Sequence, residues 1–230
     1  MNFAQKLQPV ILVRRYQRFL ADVELADHSI ITVHCPNSGS MLGCQTPGLA
    51  AMISRSANPN RKYPHTLEMV RVNQTWIGIN TSLTNRLVKE AIEHGIIQEL
   101  LPFDTIRAEV KTGQSRLDFL LQNGESKIWL EVKNCTMAQE KTAMFPDAVT
   151  ARGTKHLHEL LKLKKEGHRA AILFCVQRED TDCFTPARQI DPLYAEILGQ
   201  VYKQGVEILA YQAQVSPEQI MIVRKLPIVI

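Results

Sequence analysis

The 230-residue sequence predicts a mixed α/β protein: a small N-terminal β-barrel followed by a mixed sheet flanked by helices. Three observations carry this. Residues 9–80 hold short apolar runs broken by turn formers and no long helical period. The period becomes helical at residue 83 and then alternates between helix and strand. Between those helices, SRLDFLLQNGESKIWLEVKN over 115–134 reads as a β-hairpin.

In the first region, residues 10–13 are apolar, and Phe19, Ala21, Val23 and Leu25 alternate with polar neighbours. Phe19 heads that apolar row and is assigned to the core. A strand over 30–33 follows the turn at Asp27-His28. The turn-rich CPNSGSMLGCQTPG comes next, then a strand over 49–53 and one or two more over 67–79. About five short strands in this length suit an OB-like barrel.

Residues 83–100 read as a helix, because Leu87, Ala91 and Ile92 recur at three- and four-residue spacing. A strand over 106–111 leads into the hairpin. Residues 134–146 read as loop, and Asp147 as the N-cap of a helix over 148–165. AAILFCV within 169–176 is a buried strand. Asp191-Pro192 opens a helix over 192–204 as N-cap and N1 proline. Strands over 206–213 and 219–223 close the chain. The domain division falls at 81/82, giving a barrel over 1–81 and the mixed sheet over 82–230.

Charge divides at the same place. Residues 1–80 carry eight Lys/Arg against four Asp/Glu, and residues 81–230 carry nineteen of each, so the net +4 lies in the first part. That asymmetry suits a module for a polyanion. Two basic-aromatic clusters lie there: Arg14, Arg15 and Arg18 around Tyr16, and Arg61, Lys62 and Tyr63. Arginine and lysine neutralise phosphates, and an exposed ring stacks on bases.

No apolar run approaches the roughly 20 residues of a membrane span. The first residues place apolar groups before arginines, the reverse of a signal peptide. Five cysteines without a Cys-x-x-Cys pair indicate reduced thiols and a cytoplasmic setting. His34, Cys35 and Cys44 lack the second ligand pair of a zinc site.

The hairpin carries the chemistry. Centring its turn on Asn123-Gly124 pairs Gln122 with Glu125 and makes Asp118 and Glu131 diagonal neighbours on one face, with Trp129 and Lys133. Two carboxylates and a lysine on an ordered sheet are costly to desolvate, and Mg²⁺ or Mn²⁺ would offset that cost. In isolation the same hairpin reads as a ribbon with a cross-strand ion pair.

The helix–strand–strand–strand–helix–strand order from residue 83 resembles the core of the PD-(D/E)xK nuclease-like superfamily. That resemblance places the acid pair and lysine at Asp118, Glu131 and Lys133. It adds Glu90 on the first helix as a further metal ligand, and Arg152, Lys155 and His156 on the helix after the third strand. Leu117 stands where the superfamily carries proline.

Nearly the whole chain resembles the sugar fermentation stimulation protein A family, through RRYQRFLADVEL, TVHCPNSGSMLGC, NPNRKYPHT, SRLDFLL, EVKNCT, FPDAVTARGTKHLHEL and IDPLYAEIL. The resemblance implies an OB-like domain joined to a PD-(D/E)xK-type domain, DNA binding and a link to sugar, particularly maltose, utilisation. The expected function is non-specific DNA binding by a protein whose nuclease-like domain depends on Mg²⁺ or Mn²⁺, a candidate phosphodiesterase. Two alternatives stay open: a DNA-binding regulator on a nuclease scaffold that does not cut, and a soluble protein whose acid pair is structural. Oligomeric state is not encoded in any pattern of this sequence.

Overall fold

The computed structural model describes residues 1–113 and 115–230. The first six strands are β1 (Gln8–Tyr16), β2 (Leu20–Glu24), β3 (Ile30–His34), β4 (Ala50–Arg55), β5 (His65–Val72) and β6 (Thr75–Gly78). They run in the order β3-β2-β1-β4-β5-β6, and His34 pairs with Thr66 so that β3 meets β5. Strands β1 to β5 thus close an OB-like barrel, and β6 extends it. Alternation fills its interior: Leu12, Val23, Val33, Ile53 and Leu67 are buried, while Ile11 between Val10 and Leu12 is exposed.

Phe19 corrects the sequence reading. Strand β2 starts one residue later, and Tyr16 pairs with Leu20 across a three-residue turn. Gln17 and Arg18 take φ of 48° and 60° in that turn. Phe19 is thereby lifted out of the ladder and left 46% exposed.

The second part contains α1 (Thr84–Glu93), β7 (Thr105–Thr112), β8 (Ser115–Asn123), β9 (Ser126–Cys135), β10 (Met137–Gln139), β11 (Thr142–Phe145), α2 (Ala151–Lys165), β12 (Arg169–Val176), β13 (Cys183–Pro186), α3 (Pro192–Lys203), β14 (Glu207–Val215) and β15 (Ile220–Lys225). Its main sheet has the order β15-β14-β12-β9-β8-β7. Strand β12 is parallel to β9 and β14, and the remaining pairings are antiparallel. One face packs on α1 through Leu87, Ile92, Leu130 and Leu173. The other packs on α2 and α3 through Trp129, Leu157, Ile172 and Leu198. This is the expected mixed sheet flanked by helices.

Three boundaries differ from expectation. Helix α1 stops at Glu93 rather than 100, because Gly95 takes φ of 70° and turns the chain. Helix α2 starts at Ala151, capped by Thr150 Oγ1 accepting from Gly153 N–H, and not at 148 behind Asp147. Residues 137–145 are not loop: β10 and β11 form a small sheet with β13. These strands are three or four residues long, too short to show a period, and β13 comes from far along the chain.

Several hydrogen bonds among the described residues tie the barrel to the second part. Asp147 Oδ2 accepts from Met41 N–H at 2.8 Å, and Ser40 Oγ donates to Asp147 O at 2.5 Å. Gly78 N–H donates to Gln177 O at 3.0 Å. The first residues cross to the second part as well, where Phe3 N–H donates to Glu218 O.

Candidate metal and nucleic-acid site

The hairpin places the acids. Its turn is one residue further on than the sequence pattern predicts: Asn123 pairs with Ser126, Leu120 with Trp129 and Phe119 with Leu130. Gly124 supplies the positive φ of the turn. The ladder stops at Phe119 and Leu130, one residue short of Asp118 and Glu131, so the acids are neighbours at the end of the paired stretch rather than the diagonal pair expected. The two carboxyls remain close enough for the Glu131 charge to act on Asp118. The regular ladder ends at Phe119, and Val132 N–H donates to the Asp118 side chain, at Oδ2, 2.8 Å away.

Glu131 lies on the central strand β9, between β8 and β12, with its side chain 3% exposed. Its Oε1 accepts from Lys133 Nζ at 2.5 Å and from His156 Nδ1 on α2. Lys133 Nζ also lies 3.5 Å from His156 Nδ1. Glu131 Oε2 is buried and has no hydrogen-bond partner among the described residues. Burial pushes the Glu131 carboxyl up, but the His156 hydrogen bond and the Lys133 charge outweigh it and hold it below its ordinary value.

Asp118 is in the opposite condition. Burial, and then the neighbouring Glu131 charge, push its carboxyl up to about 6, against the hydrogen bonds from Val132 and Asn85. The Asn85 bond runs from Nδ2 to Asp118 Oδ1 at 2.8 Å.

This donor set fits a hard divalent cation. It offers carboxylate oxygens and no thiolate, and one buried oxygen has no partner among the described residues. Among the described residues no group of three or more His, Cys, Asp or Glu is arranged to hold a metal, so other ligand positions would fall to backbone, water or phosphate oxygens.

The helix residues sort differently from expectation. Glu90 is not brought to the pair; it accepts from the Met1 amine at 2.6 Å. Asn85, near the start of α1, is the residue that reaches Asp118; a neutral amide gives no signal of this in the sequence. On α2, His156 is buried in the cluster, whereas Arg152 and Lys155 are exposed on that helix. Trp129 packs under the site as expected.

The barrel cations are also divided. Arg14 pairs with Asp22 at 2.8 Å and lies over the Tyr16 ring. Arg15 donates to the carbonyls of Asn37, Gly39, Ser40 and Arg18. Its guanidinium is therefore committed to backbone. Arg61 binds Thr66 Oγ1 and His34 Nδ1, both at 3.1 Å. Lys62 is exposed and lies over Tyr63, and Arg18 is exposed. A cleft of about 320 Å³ opens where the two parts meet, walled by Asn37 and Gly39 of the barrel and by Lys133, Asn134, Asp147 and Arg152.

Residues 13–79 match a family model described as the SfsA N-terminal OB domain, and residues 82–219 match one described as the sugar fermentation stimulation protein RE domain. A sugar fermentation stimulation protein homolog of Desulfotalea psychrophila is 53% identical over 231 residues, covering 100% of this chain and 95% of its own. The homolog of Pelobacter propionicus is 53% identical over 229 residues, covering 98% and 100%. The solved structure of Pyrococcus furiosus SfsA in complex with Ca²⁺ superposes with a TM-score of 0.91 at 29% identity, over 100% of this chain and 98% of that one. The chain belongs to the sugar fermentation stimulation protein family.

Proposed function

We propose that this protein binds DNA and that its second domain is a nuclease dependent on Mg²⁺ or Mn²⁺. In this reading residues 1–81 are the nucleic-acid-binding domain and residues 82–230 the nuclease-like domain. The observation that carries it is the pair Asp118 and Glu131: electrostatically coupled neighbours in one hairpin, largely buried, and with Glu131 Oε2 unpartnered among the described residues. The related Pyrococcus protein was solved with Ca²⁺, another hard oxygen-seeking ion. A protein of this family acting in the cytoplasm on DNA is consistent with the five free thiols. The family name supplies a link to sugar utilisation, which no residue of the site explains.

Asp118 and Glu131 would hold the divalent ion, which supplies an activated water and neutralises phosphoryl charge. His156 fixes the Glu131 carboxylate through Oε1 and leaves Oε2 available. Asn85 and the Val132 amide fix Asp118. Lys133 is held beside the acids by Glu131, where its ammonium faces the charge that develops on a phosphate being cleaved. The chain thus orients both carboxylates before any ligand arrives, and the buried walls exclude bulk water.

The test is a Mn²⁺ titration by calorimetry beside a cleavage assay on several DNA forms, with Mg²⁺, Mn²⁺ or chelator. Metal uptake lost in Asp118→Asn, with metal-dependent cleavage by the parent, supports the reading. Metal uptake with DNA binding and no cleavage leaves a regulator on a nuclease scaffold. No uptake even with DNA present makes the acid pair structural.

A further inference from the structure

We propose that the DNA taken by this protein is single-stranded, with one base stacked on Phe19 and the strand led along residues 37–39 into the junction cleft beside Lys133. This rests on the DNA-binding reading above. The first observation is Phe19 itself: a phenyl ring 46% exposed at the barrel tip, beside exposed Arg18. An exposed ring next to an exposed cation is what a stacked base and its phosphate require. Two successive non-glycine residues in the left-handed region, Gln17 at 48° and Arg18 at 60°, hold it there. Such backbone strain persists where surrounding contacts over-determine it.

Arg15 provides those contacts. One nitrogen, Nη2, donates to Arg18 O at 2.8 Å, Asn37 O at 2.7 Å and Gly39 O at 2.8 Å. Phe19 O accepts from Cys35 N–H at 2.8 Å. The tip and the loop over 37–40 are therefore one braced piece. Asp147 fastens that piece to the second part through Met41 and Ser40. The brace ends at the cleft, with Asn37 and Gly39 on one wall and Lys133 and Arg152 on others.

Size and charge choose the form of DNA. A cleft of about 320 Å³ is at the low end for a site holding a single small ligand, the scale of one nucleotide unit rather than the width of a duplex. On β2, between core residues Ala21 and Val23, Asp22 is held ionised: burial opposes this, but hydrogen bonds from Thr32, Arg14 and Tyr16 prevail. That carboxylate occupies Arg14, which leaves Arg18 as the exposed cation beside the ring at the tip.

The experiment uses the full chain in chelator, so that nothing is cut, and fluorescence anisotropy with a short labelled single strand and its duplex. Single strand should bind at least about tenfold tighter, and Phe19→Ala should weaken it by about tenfold without changing the duplex. Phe19→Trp should restore binding. Val149, 76% exposed on the cleft wall, gives a second variant that folding tolerates: Val149→Trp narrows the cleft and should also weaken single-strand binding. Equal affinity for both forms, or a Phe19→Ala variant that binds single strand like the parent, overturns this inference while leaving DNA binding in place. A concentration-dependent dimer dissolved by Phe19→Ala assigns the ring to a second copy and overturns it too. If neither form binds, the DNA reading fails, and this inference with it.

Discussion

Asp118 and Glu131 sit on the two strands of one hairpin, each within reach of the other's charge, with their carboxyls displaced in opposite directions, Asp118 up to about 6 and Glu131 below its ordinary value. The difference comes from partners. Glu131 has a lysine and a histidine on one oxygen, while Asp118 has a neutral amide, a backbone N–H and the Glu131 charge. Pairs of carboxyls driven apart in this way are typical of sites that bind or transfer charge.

The first prediction is about stability. Asp118 has a folded value of about 6 against 3.8 unperturbed, so its charged form is disfavoured in the fold. The cost is fully present above pH 6 and is relieved as pH falls toward 4. Asp118→Asn should therefore stabilise the metal-free protein near neutral pH. The gain should be at most about 3 kcal/mol, the free-energy equivalent of a hundredfold change in proton affinity. It should shrink toward pH 4. Thermal melts in chelator at several pH values check this, and a variant less stable than the parent at about pH 8 contradicts it.

Metal uptake should follow the same group. A proton on Asp118 competes with the cation, so Mn²⁺ affinity should rise with pH through about 6 and level off above it. Calorimetric titrations across that range measure it. A flat profile would mean that Asp118 is not a ligand.

His156→Ala and Lys133→Ala should behave differently. Removing His156 strips Glu131 of a buried charge-assisted hydrogen bond, which should cost about 1–3 kcal/mol of stability and weaken Mn²⁺ binding. Removing Lys133 also removes a partner of Glu131 Oε1, but its side chain is 15% exposed and sits at the cleft. Lys133→Ala should retain Mn²⁺ uptake and lose cleavage. Paired titration and cleavage assays separate the two roles, and equal losses in both variants would argue for a common structural role.

The hairpin was legible from its strand period and its Asn-Gly turn, although the register moved by one residue. Lys133 does reach Glu131, two residues before it on the same strand, as that period implies. The barrel was legible because its strands alternate, as in Leu12 buried beside exposed Ile11. Partners were not legible. Arg14, Arg15 and Arg18 look alike in sequence, but one pairs with Asp22, one braces four carbonyls and one is exposed. Glu90 stands out in sequence because it is an acid, and Asn85 does not. Position along α1 relative to the sheet, which no pattern encodes, decides which of them meets Asp118. Strands β10, β11 and β13 are too short for periodicity and exist through pairing between distant segments.

Those three arginines give the next prediction. Arg15→Ala should lower stability by about 2–3 kcal/mol by leaving several backbone carbonyls unpaired, while barely altering the salt dependence of DNA binding. Arg18→Ala should leave stability within about 0.5 kcal/mol. It should flatten the log–log salt slope by roughly 0.7–0.9, the share of one phosphate contact. Melts and binding isotherms at several salt concentrations check both. A salt slope lost with Arg15 and kept without Arg18 would reverse the roles.

The last prediction concerns the latch between the two parts. A Cβ on Gly39 would fall 2.7 Å from both Asp147 carboxylate oxygens. Glycine is needed here for close approach, since real Cβ atoms do not come that near. Asp147 cannot swing away freely, because Oδ2 is bonded to the Met41 amide and its carbonyl to Ser40. Gly39→Ala should therefore destabilise the protein by about 1–3 kcal/mol through overpacking. Asp147→Ala alone should also destabilise, by leaving the Met41 amide without its acceptor. Combined, the two should cost less than their sum, because the second change removes the group that the first one strikes. An interaction energy of about 1 kcal/mol or more is expected in the double-mutant cycle. The cycle is read from denaturant melts of the four proteins. Strict additivity would show that the loop over 37–40 sits away from Asp147 in solution, and the wall of the cleft would then be absent.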